Sequence, residues 1–99
     1  MAMKRREAIT TLREQAADIK ALGATALYLF GSTVRDNAMP FSDLDLFVDY
    51  DPDRFSLVEL VGIKQLLEKR LGVSVDLTTR DSLDPLLRDL IEASAERVF

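Results

Sequence analysis

Ala26-Leu27-Tyr28-Leu29-Phe30-Gly31-Ser32, ten further residues, then Asp43-Leu44-Asp45-Leu46-Phe47-Val48-Asp49-Tyr50 is the stretch on which the reading of this 99-residue chain turns. Ala26 to Phe30 is an apolar run of strand length, and Gly31 stops it. A short helical turn from Thr33 to Asn37 and a loop through Met39-Pro40 are expected next. Leu44 to Tyr50 reads as a second strand. Its alternation places Leu44, Leu46 and Val48 on one face and Asp43, Asp45 and Phe47 on the other.

Outward from these two strands the pattern alternates between helix and strand, without repeats or linkers. Residues 3–22 predict one amphipathic helix, with Ile9, Leu12, Ala16 and Ile19 at spacings of three and four, and Gly23 suits a left-handed cap after it. Asp51-Pro52-Asp53 reads as a turn, and Asp49, Asp51 and Asp53 are assigned to that turn and to the dipole of the helix that follows. Ser56-Leu57-Val58-Glu59 fits a capping box, with Phe55 and Leu60 placed for a hydrophobic staple, and the helix runs to Leu71 before Gly72. Val73 to Thr78 predicts a third strand, with Ser74, Asp76 and Thr78 on one face. Asp84-Pro85 opens a last helix whose apolar face is Leu86, Leu87, Leu90, Ile91 and Val98. The expected fold is α/β (α+β): a small mixed sheet of three or more strands flanked by helices, forming a single domain over residues 1–99.

Composition narrows the chemistry. The chain is 47% hydrophobic and 30% charged, as ordinary globular proteins are. It has neither Cys nor His, which excludes disulfides, thiolate metal sites, imidazole bases and His-ligated zinc, and leaves carboxylates as metal ligands and bases. No apolar run reaches the roughly 18–20 residues of a membrane span, and Met1 to Arg6 leads into no apolar signal region, so a cytoplasmic location is expected. The net charge of −4 argues against nucleic acid as a bulk ligand, and Lys4-Arg5-Arg6 reads as a solvated helix start.

Asp43 and Asp45, two residues apart on a strand, point to one face, and Asp76 sits mid-strand opposite an apolar face. If the two strands are neighbours, three carboxylates converge, and a divalent cation would relieve their repulsion. Each feature alone has a plainer reading: the aspartates as a solvated strand face, Gly31-Ser32 as a strand-ending turn with Ser as helix cap. Gly31-Ser32 nevertheless lies where free backbone N–H groups at a helical start attract phosphate. Arg35, one turn on, could meet a phosphate, pair with Asp36 or stay solvated. Ser42 could order the loop before Asp43.

Together these residues resemble a known pattern. Gly31-Ser32, ten residues, Asp43-Leu44-Asp45 and a later strand aspartate, Asp76, are similar to the nucleotidyltransferase superfamily of DNA polymerase beta and kanamycin nucleotidyltransferase. Leu29 to Arg35, continuing into Ser42-Asp43-Leu44-Asp45-Leu46, resembles its smallest members, the minimal nucleotidyltransferase (MNT) antitoxins of HEPN–MNT toxin–antitoxin modules. The likeness extends to Asp81-Ser82-Leu83-Asp84-Pro85 and the closing helix. It implies the polymerase beta-like fold and a nucleotide site of Gly31, Ser32, Arg35 and Ser42, with Gly31 and Ser32 on the β- and γ-phosphates of ATP. It further implies Mg²⁺ on Asp43 and Asp45, with Asp76 sharing a second metal or taking the proton of the attacking hydroxyl. The implied reaction is AMP transfer from ATP to a tyrosine of a cognate HEPN ribonuclease toxin, within a hetero-oligomer.

About twenty residues follow Asp76, enough for one helix and too few for an acceptor-binding domain, so a protein acceptor that brings its own hydroxyl is expected. On the helix of residues 57–71, Leu57, Leu60, Val61, Leu67 and Leu71 form one stripe, and Val58 and Leu66 fall outside it, either as a contact patch or packed under a neighbouring loop. Two alternatives stand beside the AMP-transferring antitoxin: one that masks its toxin by binding alone, and a small-molecule nucleotidyltransferase completed by a separate helical subunit.

Overall fold

The computed structural model describes residues 4–31 and 43–99. The expected turn at 33–37 and the Met39-Pro40 loop lie outside the described residues, as do Ser32, Arg35 and Ser42. Strands β1 (Ala24–Phe30), β2 (Leu44–Tyr50), β3 (Val75–Thr79) and β4 (Glu96–Arg97) form one sheet in the order β3-β2-β1-β4. β2 and β3 are parallel, and the other pairings are antiparallel. Helices α1 (Arg5–Glu14), α2 (Ala16–Ala21) and α3 (Leu57–Leu71) supply Ile9, Leu12, Ile19, Ile63 and Leu67 to a core built on Leu27, Leu29, Leu46, Val48 and Leu77. Helix α4 (Arg88–Ser94) belongs to the opposite face, where its Glu92 is tied to Arg80.

The second strand and α3 have the bounds the sequence predicts. Ser56 donates its backbone N–H (3.0 Å) and its hydroxyl (2.8 Å) to Glu59 Oε1, and Gly72 closes α3 at φ +71°. Gly23 follows α2 at φ +102°, where a Cβ would press on the Arg54 carbonyl at 2.9 Å. The conformation and the close approach therefore both require glycine.

Elsewhere tertiary contacts redraw the bounds. The single helix expected over 3–22 is two, because the Gln15 N–H bonds the carbonyl three residues back, Leu12 O, at 3.0 Å and tightens the turn. β1 begins two residues early, at Ala24, and β3 covers Val75–Thr79 rather than Val73–Thr78. Pro85 does not start the last helix. Asp84 accepts the Leu86 N–H on its side chain and the Leu87 N–H on its carbonyl, each at 2.9 Å, so Asp84–Leu87 is a turn with Pro at its second position, and α4 begins at Arg88. The expected apolar face of that helix also dissolves: Leu86, Leu87 and Leu90 are exposed, while Val98 is buried beyond β4. There the Val98 N–H reaches Leu27 O (2.8 Å) and the Leu27 N–H reaches Phe99 O (3.2 Å), which covers the free edge of β1. On α3, Leu57 and Val61 lie in solvent beside Val58, and the buried residues are Ile63 and Leu67.

Candidate functional site

Strand pairing brings the sequence-predicted carboxylates together. Phe30 on β1 stands opposite Asp45 on β2, and Asp45 stands opposite Asp76 on β3, so the three residues form one row across the sheet. Their neighbours Leu29, Leu46 and Leu77 belong to the core, which alternation turns away from the row. Asp43, just before β2, is exposed, as is Asp76, and Asp45 is half-buried. Burial pushes the Asp45 carboxyl above the ordinary aspartate range, and the charges of Asp76 and then Asp43 push it further. Among the described residues no ion pair joins these three aspartates to a lysine or arginine.

Gly31 closes the row at φ +79°, and a Cβ on it would run into the Asp45 carboxylate. This end of β1 is therefore cut to leave room for a charged side chain on β2. Among the described residues no three acidic side chains already form a cage for an ion. The donor set nevertheless fits Mg²⁺ in kind: oxygen ligands only, with one carboxylate held partly out of water against two others.

A second cluster on the same face went unrecognised in the sequence. Arg80, just past β3, donates from Nε and Nη2 to the two oxygens of Asp49 at 2.7 and 2.9 Å and from Nη1 to Glu92 at 2.7 Å. Its guanidinium lies 4.8 Å from the Tyr28 ring centre and 5.0 Å from that of Phe47, and those two rings stack at 4.7 Å. This cover buries Phe47, although alternation groups it with Asp45 on the face away from the main core. Asp49 thus serves Arg80 rather than the turn or the α3 dipole. Asp51 does order the turn, accepting the Asp53 N–H at 3.0 Å. Bonds from Arg88 and then Arg80 hold the Glu92 carboxyl below its ordinary range. No local signal announces Arg80, since its partners lie 31 and 12 residues away in the chain.

The small mixed sheet thus presents an acidic row beside a strand-ending glycine, and the comparisons with known proteins make the chain a nucleotide-transferring enzyme. The chain belongs to the nucleotidyltransferase domain family, whose model matches residues 9–98. It is 39% identical over 69 residues to MJ0435 of Methanocaldococcus jannaschii, a candidate protein adenylyltransferase, with 70% of this chain and 73% of that protein covered. A solved structure described as a candidate minimal nucleotidyltransferase is 34% identical, with a TM-score of 0.72 and 95% of both chains covered. A chain from the complex of tri-AMPylated Shewanella oneidensis HEPN toxin with MNT antitoxin shares the fold, at a TM-score of 0.64 and 18% identity, over 92% of this chain and 71% of that one.

Proposed function

We propose that this chain is a Mg²⁺-dependent protein adenylyltransferase that moves AMP from ATP onto a tyrosine of a cognate HEPN ribonuclease toxin and so acts as its antitoxin. The observation that carries the reading is the row in which Asp45 and Asp76 are direct register partners, beside a glycine that makes room for Asp45. The likeness to a candidate protein adenylyltransferase and to a chain from a complex of tri-AMPylated HEPN toxin with MNT antitoxin supports the choice of acceptor. No helix among the described residues is long and apolar enough to cross a membrane, and a cytoplasmic hetero-oligomer of this one-domain chain with its toxin is the assembly we infer.

Asp43 and Asp45 would hold Mg²⁺, with Asp76 in the same row as Asp45, and the ion would supply neutralisation of the triphosphate charge. Gly31 lets the backbone approach the β- and γ-phosphates, and Ser32, Arg35 and Ser42 are assigned to the nucleotide from the sequence pattern. The tyrosine hydroxyl oxygen attacks the α-phosphorus and forms the new O–P bond. The bond from that phosphorus to the α–β bridging oxygen breaks, and pyrophosphate leaves with its electron pair. Asp76 takes the hydroxyl proton on a carboxylate oxygen.

The test pairs neutralisation with chemistry. In cells that express the toxin, Asp43→Ala with Asp45→Ala should lose protection while the double variant is still made and still binds the toxin. Protection that survives the double substitution would mean neutralisation by contact alone. Turnover of a free small-molecule acceptor without any toxin would assign the chain to small-molecule chemistry.

A further inference from the structure

Six large apolar residues are well exposed among the described residues, in two groups: Leu57, Val58 and Val61 on α3, and Leu86, Leu87 and Leu90 around the start of α4. The α3 group begins just past the C-terminal end of β2, on a helix that packs the core face of the sheet. Asp45 lies near the N-terminal end of β2 and faces the other way, so the α3 group sits on the wrong side of the sheet to serve the carboxylate row. The α4 group differs. Arg80 covers Tyr28 and Phe47 on the same face as Asp45 and Asp76, at Asp49, four residues along β2 from Asp45, and its ion pair with Glu92 at 2.7 Å ties α4 to that face. Within the helix Arg88 donates to the other Glu92 oxygen at 2.8 Å, which orients that carboxylate toward Arg80.

We propose that Leu86, Leu87 and Leu90 form the surface on which the acceptor protein docks to bring its hydroxyl to the Asp45–Asp76 row. This rests on the reading of the chain as a protein adenylyltransferase. Leu86 is 90% exposed and Leu90 69%, although burial of such side chains is what normally stabilises a fold. The surrounding charge selects the partner. Residues 80–92 contain Asp81, Asp84, Asp89 and Glu92 against Arg80 and Arg88, and since both arginines engage Glu92, Asp81, Asp84 and Asp89 remain as the acidic surplus. The occupant is therefore a protein face with an apolar strip rimmed by lysine or arginine. A second copy of this chain would bring another acidic rim and be repelled.

The probe is a purified HEPN-domain toxin, measured against wild type, Leu86→Ser with Leu90→Ser, and Asp89→Lys. All three substituted side chains are exposed, so melting temperatures should stay near wild type. The double serine variant should bind the probe about tenfold or more weakly and raise its KM by a similar factor, with kcat at saturation within about twofold. Asp89→Lys should weaken binding less and flatten its salt dependence. Unchanged affinity and KM in the double variant would overturn the docking surface. So would a fall in kcat alone, or self-association of the wild type that the substitutions abolish while probe binding is untouched. A wild type that binds the probe through these leucines yet transfers no AMP would overturn the catalytic reading and leave the surface standing. A wild type that transfers AMP with equal affinity after substitution does the reverse, and one that neither binds nor transfers overturns both.

Discussion

One face of the sheet carries two acidic clusters with opposite fates. At the Arg80 end, Asp49 and Glu92 are each bonded to a guanidinium, two aromatic rings lie beneath it, and Glu92 is held below its ordinary range. At the other end, burial first and then the charges of Asp76 and Asp43 hold the Asp45 carboxyl above its range. The difference separates structure from function in the same chemical type. Among the described residues, carboxylates that serve the fold meet a guanidinium, whereas Asp43, Asp45 and Asp76 meet none, and a divalent cation would relieve their mutual repulsion.

The largest expected effect follows from removing one of those charges. Asp45→Asn should cut AMP transfer by at least about 100-fold, since even outer-shell partners of a metal cost about 10–100-fold when lost. Initial rates at saturating ATP and Mg²⁺ check it. At the other end, Arg80→Ala strands Asp49, leaves Glu92 to Arg88 alone and uncovers the two rings. It should lower unfolding free energy by about 2 kcal/mol, within the range for a partly solvated ion-pair network with cation–π contacts. A denaturant melt reads this, and Arg80→Lys, which has no planar fork, should recover only part of it.

Gly31→Ala joins the two concerns. A residue other than glycine at φ +79° costs about 1–2 kcal/mol, and the new Cβ displaces the Asp45 carboxylate, so stability and transfer should fall together. The smallest effect has the most informative sign. Because the folded Asp45 carboxyl titrates above its unfolded value, its charged form is a cost at neutral pH, and that cost fades as pH falls into the carboxylate range. Asp45→Asn should therefore melt a few degrees above wild type at neutral pH without metal, with the gap closing on acidification. Glu92 runs the other way. Its stabilisation is present above the ordinary glutamate range and is lost as pH falls through its depressed folded value, so Glu92→Gln should be most damaging near neutral pH.

Much of the carboxylate row was legible because its signals are local. Gly31, the Asp43–Asp45 spacing and the alternation of β2 and β3 each need only a few adjacent residues, and β2 and α3 keep their expected bounds for the same reason. That Asp45 and Asp76 share a row needed strand order, which the sequence left conditional. The Arg80 cluster was invisible because it joins residues from β1, β2, α4 and the end of β3, with no spacing to betray it. The expected last helix misled for a related reason. Asp84-Pro85 is as good a turn as a helix start, and β4 forms only because β1 has an open edge to receive it. Leu86, Leu87 and Leu90, assigned to a buried helix face by their spacing, became visible as a surface only once the turn had moved the start of α4.

The most direct test of the account is the fate of the α-phosphate. ATP labelled at the α-phosphorus, incubated with this chain, Mg²⁺ and the purified toxin, should leave label on a toxin tyrosine. The transfer should vanish with chelator or with Asp45→Asn, and γ-labelled ATP should leave none. Label transferred undiminished by Asp45→Asn, or arriving from the γ-position, would contradict the assignment of the Asp45–Asp76 row as the site of nucleotidyl transfer.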